Sequence, residues 1–179
     1  MLLGDSKTAS GGWPVFLDAH GQTATDETWF HDNAGIGGST VASYAAQIAT
    51  VLAGMPAASN AGAVRVLLNW GANDFASLPA EATWEANYLT IIDAAVAKWP
   101  SALVYLMRPW SQGRNAEADT LATRIGHLIA ARPGVVFAGP DERIWLKGAD
   151  DGATMTSDGM HYSEAGKVEA AAQWAQVLW

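Results

Sequence analysis

The sequence predicts an α/β fold in which a parallel sheet lies between two layers of helices. Short apolar runs alternate with longer segments whose apolar residues recur at helical spacing, and Gly or Pro separates them. Three of the runs, Val64–Leu68, Leu103–Met107 and Val135–Phe137, are nearly continuous, as strands buried on both faces are. Strand followed by helix, repeated along a chain, requires crossover connections, and these give parallel pairing with helices on both faces. The chain has 179 residues, 50% hydrophobic and 16% charged. That is enough material for one core, so a single domain over 1–179 is expected.

About five strands are expected: Met1–Leu3, Thr28–Asn33, Val64–Asn69, Ala102–Met107 and Val135–Ala138. A short helix starts near Trp13-Pro14, where the missing proline N–H is harmless, and stops at Gly21. Val41, Tyr44, Ala45, Ile48 and Leu52 mark the next helix, capped by Ser39 or Thr40 and ended by Gly54 and Pro56. Trp84, Tyr88, Ile91, Ile92, Ala95 and Trp99 mark a third, ended by Pro100. Asn115 is placed to cap a fourth, with Ala118, Leu121, Ile125, Leu128 and Ile129 inward and Arg132-Pro133-Gly134 at its end. Val168, Ala171, Ala172, Ala175, Leu178 and Trp179 form the last.

Composition removes several functions. Ten Lys and Arg against eighteen Asp and Glu leave a net charge of −8. With no basic block, the chain suits neither nucleic acid nor anionic lipid. The absence of cysteine removes disulfides, zinc thiolates, iron–sulfur clusters and thiol nucleophiles together. No apolar run reaches the roughly 18–20 residues of a membrane span. Met1-Leu2-Leu3 runs into Gly4-Asp5-Ser6 without the basic start or apolar stretch of a signal peptide. The expectation is a soluble chain, at home in the cytoplasm or outside the cell alike.

In such a sheet, functional loops follow the carboxyl ends of the strands. They are Gly4-Asp5-Ser6, the stretch from Asn33 to Thr40, Gly71-Ala72-Asn73-Asp74, Arg108-Pro109-Trp110 and, past the last strand, Asp158-Gly159-Met160-His161. A serine, an aspartate and a histidine therefore share one edge. Serine needs a base to become a nucleophile, and a histidine base needs an anion to hold its tautomer. Acyl transfer also needs donors for an oxyanion. The Ser6 N–H, an N–H near Gly38 and the Asn73 amide are the available set.

Gly4-Asp5-Ser6, Gly38, Gly71-x-Asn73-Asp74 and Asp158-x-x-His161 together resemble the four ordered blocks of the SGNH (GDSL-type) hydrolases. The resemblance spans nearly the whole chain. It implies a flavodoxin-like three-layer fold with strand order 2-1-3-4-5 and no cofactor or metal. It implies Ser6 as nucleophile, His161 as general base and then acid, and Asp158 as its orienting anion. The oxyanion hole would be the Ser6 and Gly38 N–H groups and the Asn73 side chain. Two features depart from the family pattern. Only three residues precede Gly4, which suggests a weakly anchored nucleophile turn, and Lys7 puts a positive charge near the site where an apolar residue is usual.

The remaining candidates read as structure. Asp5 suits a turn, and Asp74 suits the hydrogen bonds that hold Asn73. His20, His31 and His127 are dispersed and read as polar surface groups. Asp150, Asp151 and Asp158 do not follow calcium-loop spacing. Gly35-Ile36-Gly37-Gly38 lacks the last glycine of a dinucleotide fingerprint and is followed by no P-loop lysine. Of the nine tryptophans, Trp84, Trp99, Trp145, Trp174 and Trp179 are assigned to core, while Trp13, Trp70 and Trp110 flank the functional loops. Trp70, Trp110 and Met160 are the candidates for substrate contact. The expected activity is hydrolysis of short-chain carboxylic esters, including acetyl esters on carbohydrate. A lysophospholipase or thioesterase for longer chains, a glycan-binding module and a flavin or nucleotide binder on the same fold are the alternatives.

Overall fold

The computed structural model describes residues 1–9, 13–25, 32–57, 64–146 and 153–179. Four strands, β1 (Leu2–Gly4), β2 (Arg65–Asn69), β3 (Leu103–Arg108) and β4 (Val136–Asp141), form one parallel sheet in the order β1-β2-β3-β4. Leu2 pairs with Leu67, Val66 with Val104, and Val104 with Val136. The helices are α1 (Ser6–Ala9), α2 (Trp13–Thr25), α3 (Val41–Ala45), α4 (Ile48–Ala53), α5 (Glu81–Lys98), α6 (Asn115–Ala131), α7 (Glu142–Trp145) and α8 (Glu164–Leu178). α2 packs on α8, while α3 and α4 pack on α5, which meets α6; α6 and α8 both reach β4. No helix among the described residues is long and apolar enough to cross a membrane.

The expected strand Thr28–Asn33 falls mostly outside the described residues, among which four strands form the sheet. Residues 28–31 lie outside the described residues, and Asn33 makes only an isolated parallel bridge to Leu2. The Leu2 N–H donates to the Asp32 carbonyl at 2.8 Å and the Ala34 N–H to the Leu2 carbonyl at 2.9 Å. The segment thus runs beside β1 on the edge away from β2, the side an order of 2-1-3-4-5 requires.

The core follows the apolar runs. Leu2, Leu3, Val66, Leu68, Val104, Leu106 and Val136 from the sheet are all buried. Against them lie Tyr44, Trp84, Tyr88, Ile91, Ile92, Leu121, Ile125 and, from α2 and α8, Trp13 and Trp174. Each such side chain contributes about 1.5–3 kcal/mol by leaving water.

Several boundaries moved for local reasons. α2 continues through Gly21 to Thr25, because an interior glycine costs only about 1 kcal/mol relative to alanine. The single helix expected over residues 41–52 is two, because Gln47 leaves helical values at φ −118° and ψ 6°. The Thr40/Ser43 capping box starts the first of them. Asn115 does not cap α6; its Oδ1 accepts the Trp110 Nε1–H at 2.8 Å instead. α8 starts at Glu164 with Ser163 Oγ accepting the Gly166 N–H, and its buried side is Gly166, Ala170, Ala171, Trp174 and Leu178. Val168, expected inward, is exposed.

Candidate active site

The turn after β1 is built by contacts that admit no side chain at residue 4. A Cβ on Gly4 would lie 2.2 Å from Thr8 Oγ1 and 2.6 Å from the Asn69 carbonyl oxygen. The Asp5 N–H donates to that same carbonyl at 3.1 Å, and the Asp5 carbonyl accepts the N–H groups of Thr8 and Ala9. Asp5 Oδ1 accepts the Lys7 N–H at 3.0 Å. These bonds hold Ser6, half-buried, as the first residue of α1. The short first strand is well anchored: Leu2 and Leu3 are buried and all three β1 residues pair with β2.

The loop before α8 carries the second group. Ser6 Oγ and His161 Nε2 lie 2.9 Å apart, and His161 Nδ1 lies 2.7 Å from Asp158 Oδ2. The other carboxylate oxygen, Oδ1, accepts the N–H groups of Met160 at 3.0 Å and His161 at 2.8 Å. The His161 hydrogen bond, chiefly, holds the Asp158 carboxyl down to about 2, with the backbone donors adding to it. Gly159, at φ +84°, turns the loop, and its carbonyl accepts the Gln112 N–H and the Ser111 hydroxyl. The loop after β3 is therefore fastened to the histidine loop. With Nδ1–H donated to Asp158, His161 Nε2 is left as an acceptor for the Ser6 hydroxyl proton.

Two further loops face the serine turn. A Cβ built on Gly37 would lie 4.0 Å from the Ser6 Cβ, and Gly38 follows with φ +74° and open space around it. Asn73 Nδ2 donates to the Ser39 carbonyl at 3.0 Å. An amide has two N–H donors, so this bond orients the group and leaves a second donor. Ser39 Oγ accepts the Trp70 Nε1–H at 3.1 Å, and Trp70 packs against Tyr44 at 4.3 Å and Tyr88 at 6.0 Å between ring centroids. Asp74 Oδ2 accepts the Val41 N–H at 3.2 Å, and burial pushes its carboxyl up to about 6. Beside the same glycine loop lies an open cavity of about 340 Å³ lined mainly by Ala34, Gly35, Ile36, Val51, Met55 and Pro56.

The structure thus brings together Ser6, His161 and Asp158, with Gly38 and Asn73 on loops beside them. It does not support two of the expected substrate contacts. Trp70 and Trp110 are buried, their indole N–H groups bonded to Ser39 and Asn115, so neither offers a face to a ligand. Met160 is half-buried beside His161. Lys7 is a correction too: its charge is fully buried and pairs with Glu142 at 2.6 Å. Glu142 and Tyr162, which share this buried cluster, were not foreseen. The signal was available, since a lysine in an apolar slot needs a carboxylate partner somewhere, but its position was not. His20 is exposed on α2, and His127 pairs with Glu85 and Glu81 on α5 at 2.9 and 3.3 Å. His31, Asp150 and Asp151 lie outside the described residues.

A family model described as the GDSL-like lipase/acylhydrolase family matches residues 2–167. No curated protein matches the chain. Solved structures with the same fold include a carbohydrate esterase family 3 protein from Talaromyces cellulolyticus, with a TM-score of 0.76 and 18% identity over 99% of this chain and 94% of that one. A lipase/acylhydrolase from Enterococcus faecalis gives 0.75 and 21% identity over 99% and 93%. The psychrotrophic esterase EstA from Pseudoalteromonas sp., inhibited by monoethylphosphonate in that structure, gives 0.72 and 18% identity over 96% and 91%.

Proposed function

The chain belongs to the GDSL-like lipase/acylhydrolase family and is a carboxylic ester hydrolase, and from that premise we propose a serine mechanism on short acyl esters, carried by one hydrolase domain. The observation that carries it is the continuous relay from Ser6 Oγ through His161 to Asp158, at 2.9 and 2.7 Å.

Ser6 Oγ attacks the ester carbonyl while His161 Nε2 takes its proton. Asp158 holds the ring by Nδ1 and stabilises the imidazolium. The oxyanion is met by the Ser6 and Gly38 N–H groups and by the Asn73 amide, donors fixed before the charge develops. His161 then protonates the departing alcohol. Water, deprotonated by the same nitrogen, attacks the acyl-enzyme, and Ser6 leaves with its proton restored. Each step uses only side chains, backbone N–H groups and water.

Carbohydrate acetyl esters are the substrate class we favour, supported by the likeness to a carbohydrate esterase and by Met160 as a contact next to His161.

The test is hydrolysis of p-nitrophenyl acetate, butyrate and octanoate by wild type and Ser6→Ala in parallel. Wild type should turn over acetate with the highest kcat/KM. The variant should lose roughly 10⁴-fold or more of kcat. A profile that rises toward octanoate would move the substrate to long-chain esters, and substantial turnover by Ser6→Ala would remove Ser6 as nucleophile.

A further inference from the structure

We propose that Glu142 is a positioning residue for hydrolysis, one buried carboxylate that fastens the turn carrying Ser6 to the loop carrying His161. The inference rests on the Ser6–His161 reading above. Glu142 opens α7 directly after β4 and is fully buried. Its Oε2 accepts Lys7 Nζ at 2.6 Å and the Trp110 backbone N–H at 2.6 Å, and its Oε1 accepts the Tyr162 hydroxyl. Lys7 Nζ also donates to the Trp110 carbonyl at 2.8 Å. Lys7 is the residue after Ser6, and Tyr162 is the residue after His161. Three catalytic-edge loops, those after β1, after β3 and before α8, therefore converge on two oxygens of one side chain.

Stability alone is a poor reason for this arrangement. Replacing a buried ion pair by apolar residues of similar volume is often neutral or stabilising. What the carboxylate supplies that an apolar side chain lacks is direction. The bonds from Lys7 and Tyr162 each fix a donor whose backbone neighbour carries a reacting group, so the two sides of the 2.9 Å Ser6–His161 contact are referred to a common point. Tyr162 is held further by the Lys7 ammonium, 5.4 Å from its ring centroid, and by packing on Trp145. Glu142 touches neither Ser6 Oγ nor the imidazole, so its effect is transmitted through Lys7 and Tyr162.

The experiment compares wild type with Tyr162→Phe, Glu142→Gln and the pair Lys7→Met with Glu142→Gln. The readouts are kcat and KM on p-nitrophenyl acetate, the pH profile of Ser6 labelling by a fluorophosphonate, and thermal melting. Rates are taken well below each melting temperature. Tyr162→Phe cuts the arm to the histidine loop, together with the 3.5 Å contact of the same hydroxyl with Met107 Sδ, and keeps the ring, so it tests the proposal even if Glu142→Gln fails to fold. A loosened reacting pair should lower kcat and labelling by about 10-fold to 10²-fold with KM nearly unchanged, because misplacement by 1 Å costs on that order. The double variant, free of the unpaired ammonium, should melt above Glu142→Gln while its kcat stays low. Wild-type kcat and labelling profile in both Tyr162→Phe and the double variant would overturn the proposal, leaving Glu142 as a packing residue. Wild type that escapes labelling, or Ser6→Ala that labels equally well, would sink the serine mechanism itself and the proposal with it.

Discussion

Asn73 has committed one amide N–H to the Ser39 carbonyl at 3.0 Å, and that bond decides where the other points. Asn73→Ala should lower kcat by about 10²–10³-fold, the usual cost of one oxyanion donor, with little change in KM. Steady-state kinetics on p-nitrophenyl acetate check it, and an unchanged kcat would take the amide out of the hole. At this scale the sequence was legible where chemistry is local. Asp158 and His161 are three residues apart in a glycine turn, so their pairing follows from spacing. Lys7 and Glu142 are 135 positions apart, and nothing near either names the other. Trp70 and Trp110 were placed beside the right loops but on the wrong side of them. Adjacency in sequence does not say which way a ring turns, and an indole N–H finds its partner wherever a buried acceptor stands.

At the scale of elements, the turn between β1 and α1 is a tightly constrained joint. A methyl group at residue 4 meets the Thr8 side chain and, more seriously, the Asn69 backbone of β2. Gly4→Ala must push two paired strands apart or shift the start of α1. It should cost about 1–3 kcal/mol, as overpacking does, and should lower kcat because Ser6 moves with the turn. Urea unfolding together with kinetics checks both; a variant with wild-type midpoint and kcat would show that the turn relaxes freely. The strands were the legible elements, since β2, β3 and β4 are apolar runs whose neighbours cover both faces. The short helices α1 and α7 were not, because four residues carry no period. Helix breaks depart from their sequence signals in both directions. Gly21 looked like a stop and is passed through, while Gln47 carries no breaking signal and interrupts a run whose apolar spacing is unbroken.

For the whole molecule, the buried carboxyls set how stability follows pH. Burial pushes Asp5 up to about 7, with the Lys7 charge and its N–H opposing and Glu142 and Asp74 adding to the rise. Asp74 rises to about 6. Both keep a proton in the folded chain that the unfolded chain has lost, so stability falls as pH rises from about 4 to 7. Asp158 works in the opposite sense, its contribution disappearing only as pH falls toward about 2, and solvent exposure keeps it small. Asp5→Asn removes one ionisation that the fold resists. Its melting temperature should match wild type near pH 4 and exceed it by a growing margin up to pH 8, on the order of 1–3 kcal/mol or a few degrees there. A margin that stays constant with pH would mean the Asp5 carboxylate is already compensated when charged. The ring of Trp70 has a use beyond packing. It is clamped between Tyr44 and Tyr88 and bonded to the serine whose carbonyl aims Asn73. The two phenols stand close enough to pass excitation to it, so the part of the fluorescence that Trp70→Phe removes is an optical gauge of the segment that aims Asn73.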